Sequence, residues 1–189
     1  MILKYRGKEN SIPKPAAVLS DAGAVLGKPE LKDFLCIRVA GNEQKPLDFE
    51  GDYVKAGRGP LRTFDYSLEG DQDGYAVERK ALGDFISSVV LTDNWKHELA
   101  KIERARSWLL PIVYILEFGF DDIAKYDYAV FKGGRVSSQF IYRRIAEMIF
   151  DLGIVVLFAG SRQGASYATT LILKRRHEAL KATGASRAT

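Results

Sequence analysis

The stretch Val77-Glu78-Arg79-Lys80-Ala81-Leu82-Gly83-Asp84 places a carboxylate, a guanidinium, an ammonium and a second carboxylate where a strand pattern gives way to a helix pattern. Side chains alternate along a strand, so Glu78 and Lys80 share one face and Arg79 takes the other. A glutamate and a lysine side by side can hold a divalent cation and steer a water towards a phosphate ester. Another carboxylate, Asp65, stands 13 residues before Glu78 in Thr63-Phe64-Asp65-Tyr66-Ser67-Leu68-Glu69-Gly70. A hairpin would set it beside Glu78, and an aspartate on one strand with Glu-x-Lys on the next can bind one or two Mg2+ ions through carboxylate oxygens. On these residues alone, the alternative is a solvated, charged strand end.

The elements that must position this group follow from hydrophobic period and turn chemistry. Phe34 to Val39 reads as a buried strand, and 42–60 as a loop-rich connector with scattered Gly and Pro. Thr63 to Leu68 and Tyr75 to Glu78 read as short strands joined by the turn-forming Glu69-Gly70-Asp71-Gln72-Asp73-Gly74. Helical spacing starts at Ala81 with Leu82, Phe85, Ile86 and Val89, and resumes after Thr92-Asp93 with Trp95, Leu99 and Ile102. Beyond Pro111, Ile112 to Leu116 is an apolar run suited to a strand covered on both faces. Ser137 or Ser138 opens a helix carrying Phe140, Ile141, Ile145, Met148, Ile149 and Leu152, which stops at Gly153. Ile154 to Phe158 reads as the next buried strand. A basic helix from about Gly164 to Leu180 then sets Ala168, Leu171, Ile172 and Arg175 in helical order. Strands first, then helices alternating with buried strands, predict an α/β sandwich on a mixed sheet.

A chain of 189 residues with 47% hydrophobic content can bury one core. A formal charge of +4 tolerates a polyanionic partner without demonstrating one. Cys36 lies in the apolar run Phe34-Leu35-Cys36-Ile37 and is expected to be a buried thiol; with one cysteine, an intramolecular disulfide and a paired-cysteine zinc site are excluded. No apolar run reaches the ~18 residues of a membrane span, and charges occupy the place of a signal peptide's apolar core, so a soluble intracellular protein is expected, cytoplasmic if bacterial or phage and nuclear if eukaryotic.

Val77-Glu78-Arg79-Lys80-x-x-x-Asp84 resembles the V-E-R-K-x-x-x-D signature of the XPF-type structure-specific endonucleases, members of the PD-(D/E)XK nuclease superfamily. Asp65-Tyr66-Ser67 is similar to the upstream G-D-Y motif, with Phe64 in place of the glycine. Gly51-Asp52-Tyr53 has the same letters but lies in the connector, 26 residues before Glu78. Glu43-Gln44-Lys45-Pro46 resembles the tail of the D-T-R-E-Q strand motif, and Ile112 to Glu117 the apolar strand ending in Glu. Gly153 to Phe158 with Gly160-Ser161-Arg162 resembles the final strand and the small-residue turn after it.

The resemblance implies an α/β, restriction-endonuclease-like core with a mixed central sheet flanked by helices. It also implies a nuclease domain over 33–182; composition, with Lys, Pro and small residues lacking clear periodicity, predicts an extended or partly ordered arm at 1–32, and the Gly-Ala-Ser-Arg-Ala-Thr end a flexible tail at 183–189. Asp65 and Glu78 are the implied ligands of Mg2+ or Mn2+, Lys80 the implied catalytic lysine, and Arg79 a catalytic or supporting cation that touches phosphate or bridges to a carboxylate. Glu43 would approach the metal from the first strand or remain a solvated loop residue. Asp84 and Glu117 would support the site, or serve as a favourable charge near a helix N-terminus and a strand-end charge. Arg58, Arg62, Arg162, Lys174, Arg175 and Arg176 would bind DNA phosphates.

Two departures touch the rim: Ala40 and Asn42 stand where the motif has Asp and Arg. The tandem helix-hairpin-helix domain of many relatives is not expected in this sequence, where no Gly-x-Gly hairpin pair follows the nuclease region. The implied activity is metal-dependent endonucleolytic cleavage of branched, flapped or otherwise distorted DNA, in repair, recombination or phage DNA processing. A homodimer, a helicase or another partner protein would assist. The alternative is a catalytically weak or inactive DNA-binding subunit of the same fold, and a restriction or Holliday-junction enzyme would share the chemistry with a different substrate.

Overall fold

The protein is described from a computed structural model over residues 34–108, 110–131 and 136–182. Strand β1, Leu35–Ala40, buries Leu35, Ile37 and Val39 on one face. The same alternation turns Cys36 outward, so the thiol expected to be buried is exposed. The connector expected over 42–60 contains strand β2, Val54–Gly59, which pairs parallel to β1 at the sheet edge. Its sequence, Val-Lys-Ala-Gly-Arg-Gly, is mostly exposed and lacks the apolar alternation that marks a half-buried strand.

Strands β3, Tyr66–Leu68, and β4, Ala76–Lys80, form an antiparallel hairpin with Tyr66 opposite Val77. β3 is shorter than its sequence pattern because Phe64, at φ 65°, breaks the extended backbone. Asp65 is nonetheless tied into the sheet: its N–H donates to the Val77 carbonyl at 3.0 Å, and its carbonyl accepts from Ala40 N at 2.9 Å. Helices α1, Leu82–Val90, and α2, Thr92–Ala105, follow directly. Strand β5, Val113–Leu116, pairs parallel to β4, and strand β6, Val155–Phe158, parallel to β5. The sheet order is β2-β1-β3-β4-β5-β6, a mixed six-stranded sheet.

Between β5 and β6 lie the short helix α3, Asp122–Lys125, a 3-10 turn at Tyr128–Val130, and helix α4, Ser138–Phe150. Both short elements escape a periodicity argument because neither completes two turns. Gly153, at φ 68°, carries the chain from α4 into β6. The final helix α5 runs Arg162–Ala182. It buries Ala165, Thr169 and Leu173, spaced by four, while Leu171 is 47% exposed. The stripe expected through Ala168, Leu171 and Ile172 is therefore rotated, since small residues at 165 and 169 let the helix approach the sheet.

The helices cover both faces. α1, α2 and α4 bring Phe85, Ile86, Val89, Ile102, Ile141, Ile145 and Met148 onto Tyr114 and Leu116. α5 packs Ala165 and Leu173 with Ile37, Tyr66, Val77 and Ile115 on the other side. Each large apolar side chain so buried contributes about 1.5–3 kcal/mol by transfer from water. β6, expected to be covered on both faces, is an edge strand with Val155 and Leu157 exposed. The sequence-expected arm at 1–32 and tail at 183–189 lie outside the described residues.

Candidate active site

At the C-terminal end of β4 the two faces of the sheet carry two separate charged clusters. On the face under α2, Glu78 is 1% exposed and its Oε1 accepts from Lys80 Nζ at 3.0 Å and Lys101 Nζ at 2.7 Å. Glu98, one turn before Lys101 on α2, accepts at Oε1 from Lys80 at 2.8 Å and Lys101 at 3.2 Å. Its Oε2 accepts from the Tyr114 hydroxyl at 2.9 Å. Parallel pairing sets Tyr114 opposite Glu78, which carries the hydroxyl to this point. Glu78, Lys80, Glu98 and Lys101 thus form a ring of alternating charge beneath a helix. Glu78 Oε2 is buried and has no hydrogen-bond partner.

Asp65 joins this face from the turn before β3, where its Oδ2 accepts from the Arg79 backbone N–H at 2.9 Å. Burial, and after it the Glu78 carboxylate, push the Asp65 carboxyl well above the usual carboxylate range. Burial pulls the Lys80 ammonium down, but Glu78 and Glu98 outweigh it and hold Lys80 above its ordinary value, so it is charged at neutral pH. Burial also raises Glu98, and the Lys80 and Lys101 ammoniums overcome it to leave Glu98 below its ordinary value. Two acidic groups that repel, one of them with a buried oxygen lacking any donor, fit a divalent cation through Asp65 and Glu78.

Arg79 points to the opposite face. Its guanidinium donates to Glu43 at 3.0 Å and to the Lys45 carbonyl at 2.6 Å, and lies 3.6 Å from Glu117. Arg162, at the start of α5, donates to Glu117 at 2.9 Å, to the Lys45 carbonyl at 2.8 Å and to the Pro46 carbonyl. With its side chain 6% exposed, Arg79 ties the segment after β1 to the ends of β4 and β5. Glu43 and Glu117 are accordingly engaged by arginines on this face. Among the described residues no group of three or more His, Cys, Asp or Glu side chains is arranged to hold a metal ion.

The other sequence-expected residues are spread out. Asp84 is exposed in the first turn of α1, where a carboxylate suits the helix dipole. Arg58 is exposed on edge strand β2 and Arg62 in the segment after it. Lys174 and Arg175 are exposed on α5, Arg175 lying 3.4 Å from Glu178. Arg176 instead grips Asp71 with two bonds, at 2.7 and 3.0 Å, fastening α5 to the β3–β4 turn.

Glu98, Lys101 and Tyr114 were not singled out by the sequence reading. A signal for Glu98 existed: the buried positions of α2 are Trp95, Glu98, Ile102 and Ala105, so a carboxylate sits within an apolar stripe. A charge there must be paired, and its partners cannot be read from the helix itself.

The fold is α/β, a six-stranded mixed sheet flanked by helices, with the Asp65 and Glu78 carboxyls and Lys80 at the sheet end. No family model matches the chain, and neither does any curated protein. Among solved structures, XPF from Aeropyrum pernix is similar, with a TM-score of 0.57 and 18% identity over 78% of this chain and 68% of that one. XPF from Aeropyrum pernix in complex with DNA is similar too, with a TM-score of 0.57 and 18% identity over 76% of this chain and 66% of that one. Among the described residues no helix is long and apolar enough to cross a membrane.

Proposed function

We propose that this chain is a metal-dependent DNA endonuclease acting on branched, flapped or otherwise distorted DNA. The observation that carries the reading is the buried group of Asp65, Glu78 and Lys80, on a fold similar to that of a DNA-bound XPF. Asp65 and Glu78 would hold Mg2+ or Mn2+, which when bound supplies Lewis-acid stabilisation of charge on the transferring phosphate. Lys80 carries its proton at neutral pH. It would therefore serve as a hydrogen-bond donor that orients water or stabilises phosphate charge. Addition of that water across the phosphodiester would leave a 5′-phosphate and a 3′-hydroxyl.

Phosphate contacts would come from exposed Arg58, Arg62, Lys174 and Arg175, a sequence-independent attraction that weakens as salt rises. Arg79, Arg162 and Arg176 are committed to carboxylates and backbone oxygens, and would act by holding the elements in place. Exposed Ile149, Phe150, Val155 and Leu157 support a homodimer or a helicase partner. A soluble intracellular setting in DNA repair, recombination or phage DNA processing accords with this reading.

A second reading, a weakly active or inactive DNA-binding subunit, is favoured by Ala40, a buried residue in the place of a motif carboxylate. Cleavage of flap, fork and duplex DNA with Mg2+ or Mn2+ decides between them. Glu78→Gln is expected to lower the rate at least ~100-fold, in line with loss of about 2.7 kcal/mol of transition-state stabilisation. Wild type and Glu78→Gln equally inert with both metals on every substrate would overturn the catalytic reading.

A further inference from the structure

We propose that Lys101 is a tethered counter-ion that a divalent cation displaces from Glu78. The inference rests on the cation-binding part of the function proposed above. Glu78 Oε1 takes two ammoniums, from Lys101 at 2.7 Å and Lys80 at 3.0 Å, while its buried Oε2 takes none. A carboxylate crowded on one oxygen and bare on the other is a half-used ligand. Lys101 also acts electrostatically on Asp65, so its ammonium lies in the field of both candidate ligands.

Charge balance selects which ammonium must leave. Three carboxyl groups (Asp65, Glu78 and Glu98) face two ammoniums (Lys80 and Lys101), leaving room for one positive charge when all three are ionised. A divalent cation brings two charges, so the pocket ends with one in excess unless an ammonium withdraws. Buried like charges repel strongly in a medium of low effective dielectric. Lys80 projects from a central strand with its side chain 13% exposed, whereas the Lys101 side chain, on a surface helix, is 28% exposed. Lys101 can swing its flexible stem towards solvent with no change in backbone. Its bond to Glu98, at 3.2 Å, is longer than the 2.8 Å bond from Lys80, so Lys101 is the less tightly held of the two ammoniums.

The role this assigns to Lys101 is an exchange. Without the cation, the lysine compensates a buried carboxylate and keeps it in position. With it, the lysine gives up Glu78 and becomes available at the edge of the site.

The test uses the full chain without DNA, so nothing is turned over. In EDTA, Lys101→Met is expected to melt below wild type. On saturation with Mn2+ it should rise by more degrees than wild type does, with Mn2+ bound about tenfold more tightly by calorimetry. Lys101→Arg, which keeps the charge, should behave like wild type. In wild type itself, Mn2+ should increase acetylation of Lys101 by an amine-reactive ester, read by mass spectrometry. This measurement decides the matter if Lys101→Met does not fold.

A melting gain in Lys101→Met no larger than in wild type, or Lys101 labelling unchanged by Mn2+, overturns the displacement while leaving cation binding in place. Absence of any Mn2+ response in wild type, Lys101→Met and Glu78→Gln alike overturns both the displacement and the metal reading beneath it.

Discussion

Replacing Glu98 by glutamine removes one negative charge from the ring while keeping its shape and an acceptor oxygen. Glu98 is 5% exposed and accepts three hydrogen bonds, from Lys80, Lys101 and Tyr114. A bond to a charged partner is worth about 1.5–3 kcal/mol and a neutral one about 1 kcal/mol, so the two lysine contacts together lose roughly 1–4 kcal/mol. That range overlaps the ~3–5 kcal/mol typical of breaking a buried ion pair. For a chain of this size, each kcal/mol moves the melting temperature by about 2–4 °C, giving an expected fall of roughly 2–16 °C. Thermal unfolding in EDTA at neutral pH measures it.

The effect also has a defined pH dependence. Glu98 sits below its ordinary value in the folded protein, so its contribution is present above the unfolded glutamate pKa of about 4.3 and is lost as the pH falls through the folded value. The gap between wild type and Glu98→Gln should close as the pH drops below about 4. A gap under about 1 kcal/mol at neutral pH, or one that persists unchanged in acid, would refute the claim that this ring is held by ionic pairing.

Two further substitutions test neighbouring parts of the argument. Asp65→Asn should raise the melting temperature in EDTA at neutral pH, because the raised Asp65 pKa costs stability above the unfolded carboxylate value, and the gain should vanish in acid. The same variant should lose the Mn2+ response, whereas an unchanged melting temperature and an intact response would remove Asp65 from the ligand pair. Phe64→Gly relieves a left-handed backbone worth about 1–2 kcal/mol. It also deletes a buried ring packed edge-on against Trp108 and Tyr114, at a cost of about 3–5 kcal/mol. A net loss of roughly 1–4 kcal/mol by urea unfolding is expected, and a stabilised variant would show that the ring contributes less than the strain.

Much of the fold was legible in the sequence because its signals are local. The helical stripe of Phe85, Ile86 and Val89 lies within one segment, as does the apolar run from Ile112 to Leu116. The Gly-rich turn between β3 and β4 likewise announces a hairpin by its own composition. β2 was hidden because an exposed edge strand needs only one partner and no apolar face. The exposure of Cys36 and of β6 depends on which faces the helices cover, information that no single strand contains.

The site divides along the same line. Strand alternation alone separates Glu78 and Lys80 from Arg79, and the hairpin carries Asp65 to the same end of the sheet. What Arg79 does there was decided only when the segment after β1, the end of β5 and the start of α5 converged on it through Glu43, Lys45, Glu117 and Arg162. The ring of Glu98 and Lys101 over Glu78 and Lys80 likewise depends on how α2 is laid across the sheet. Local periodicity determines the type of each element and which side chains share a face, because it is written in nearest neighbours. The pairing of charges across the core is set by helix orientation and sheet order, and only the tertiary structure supplies those.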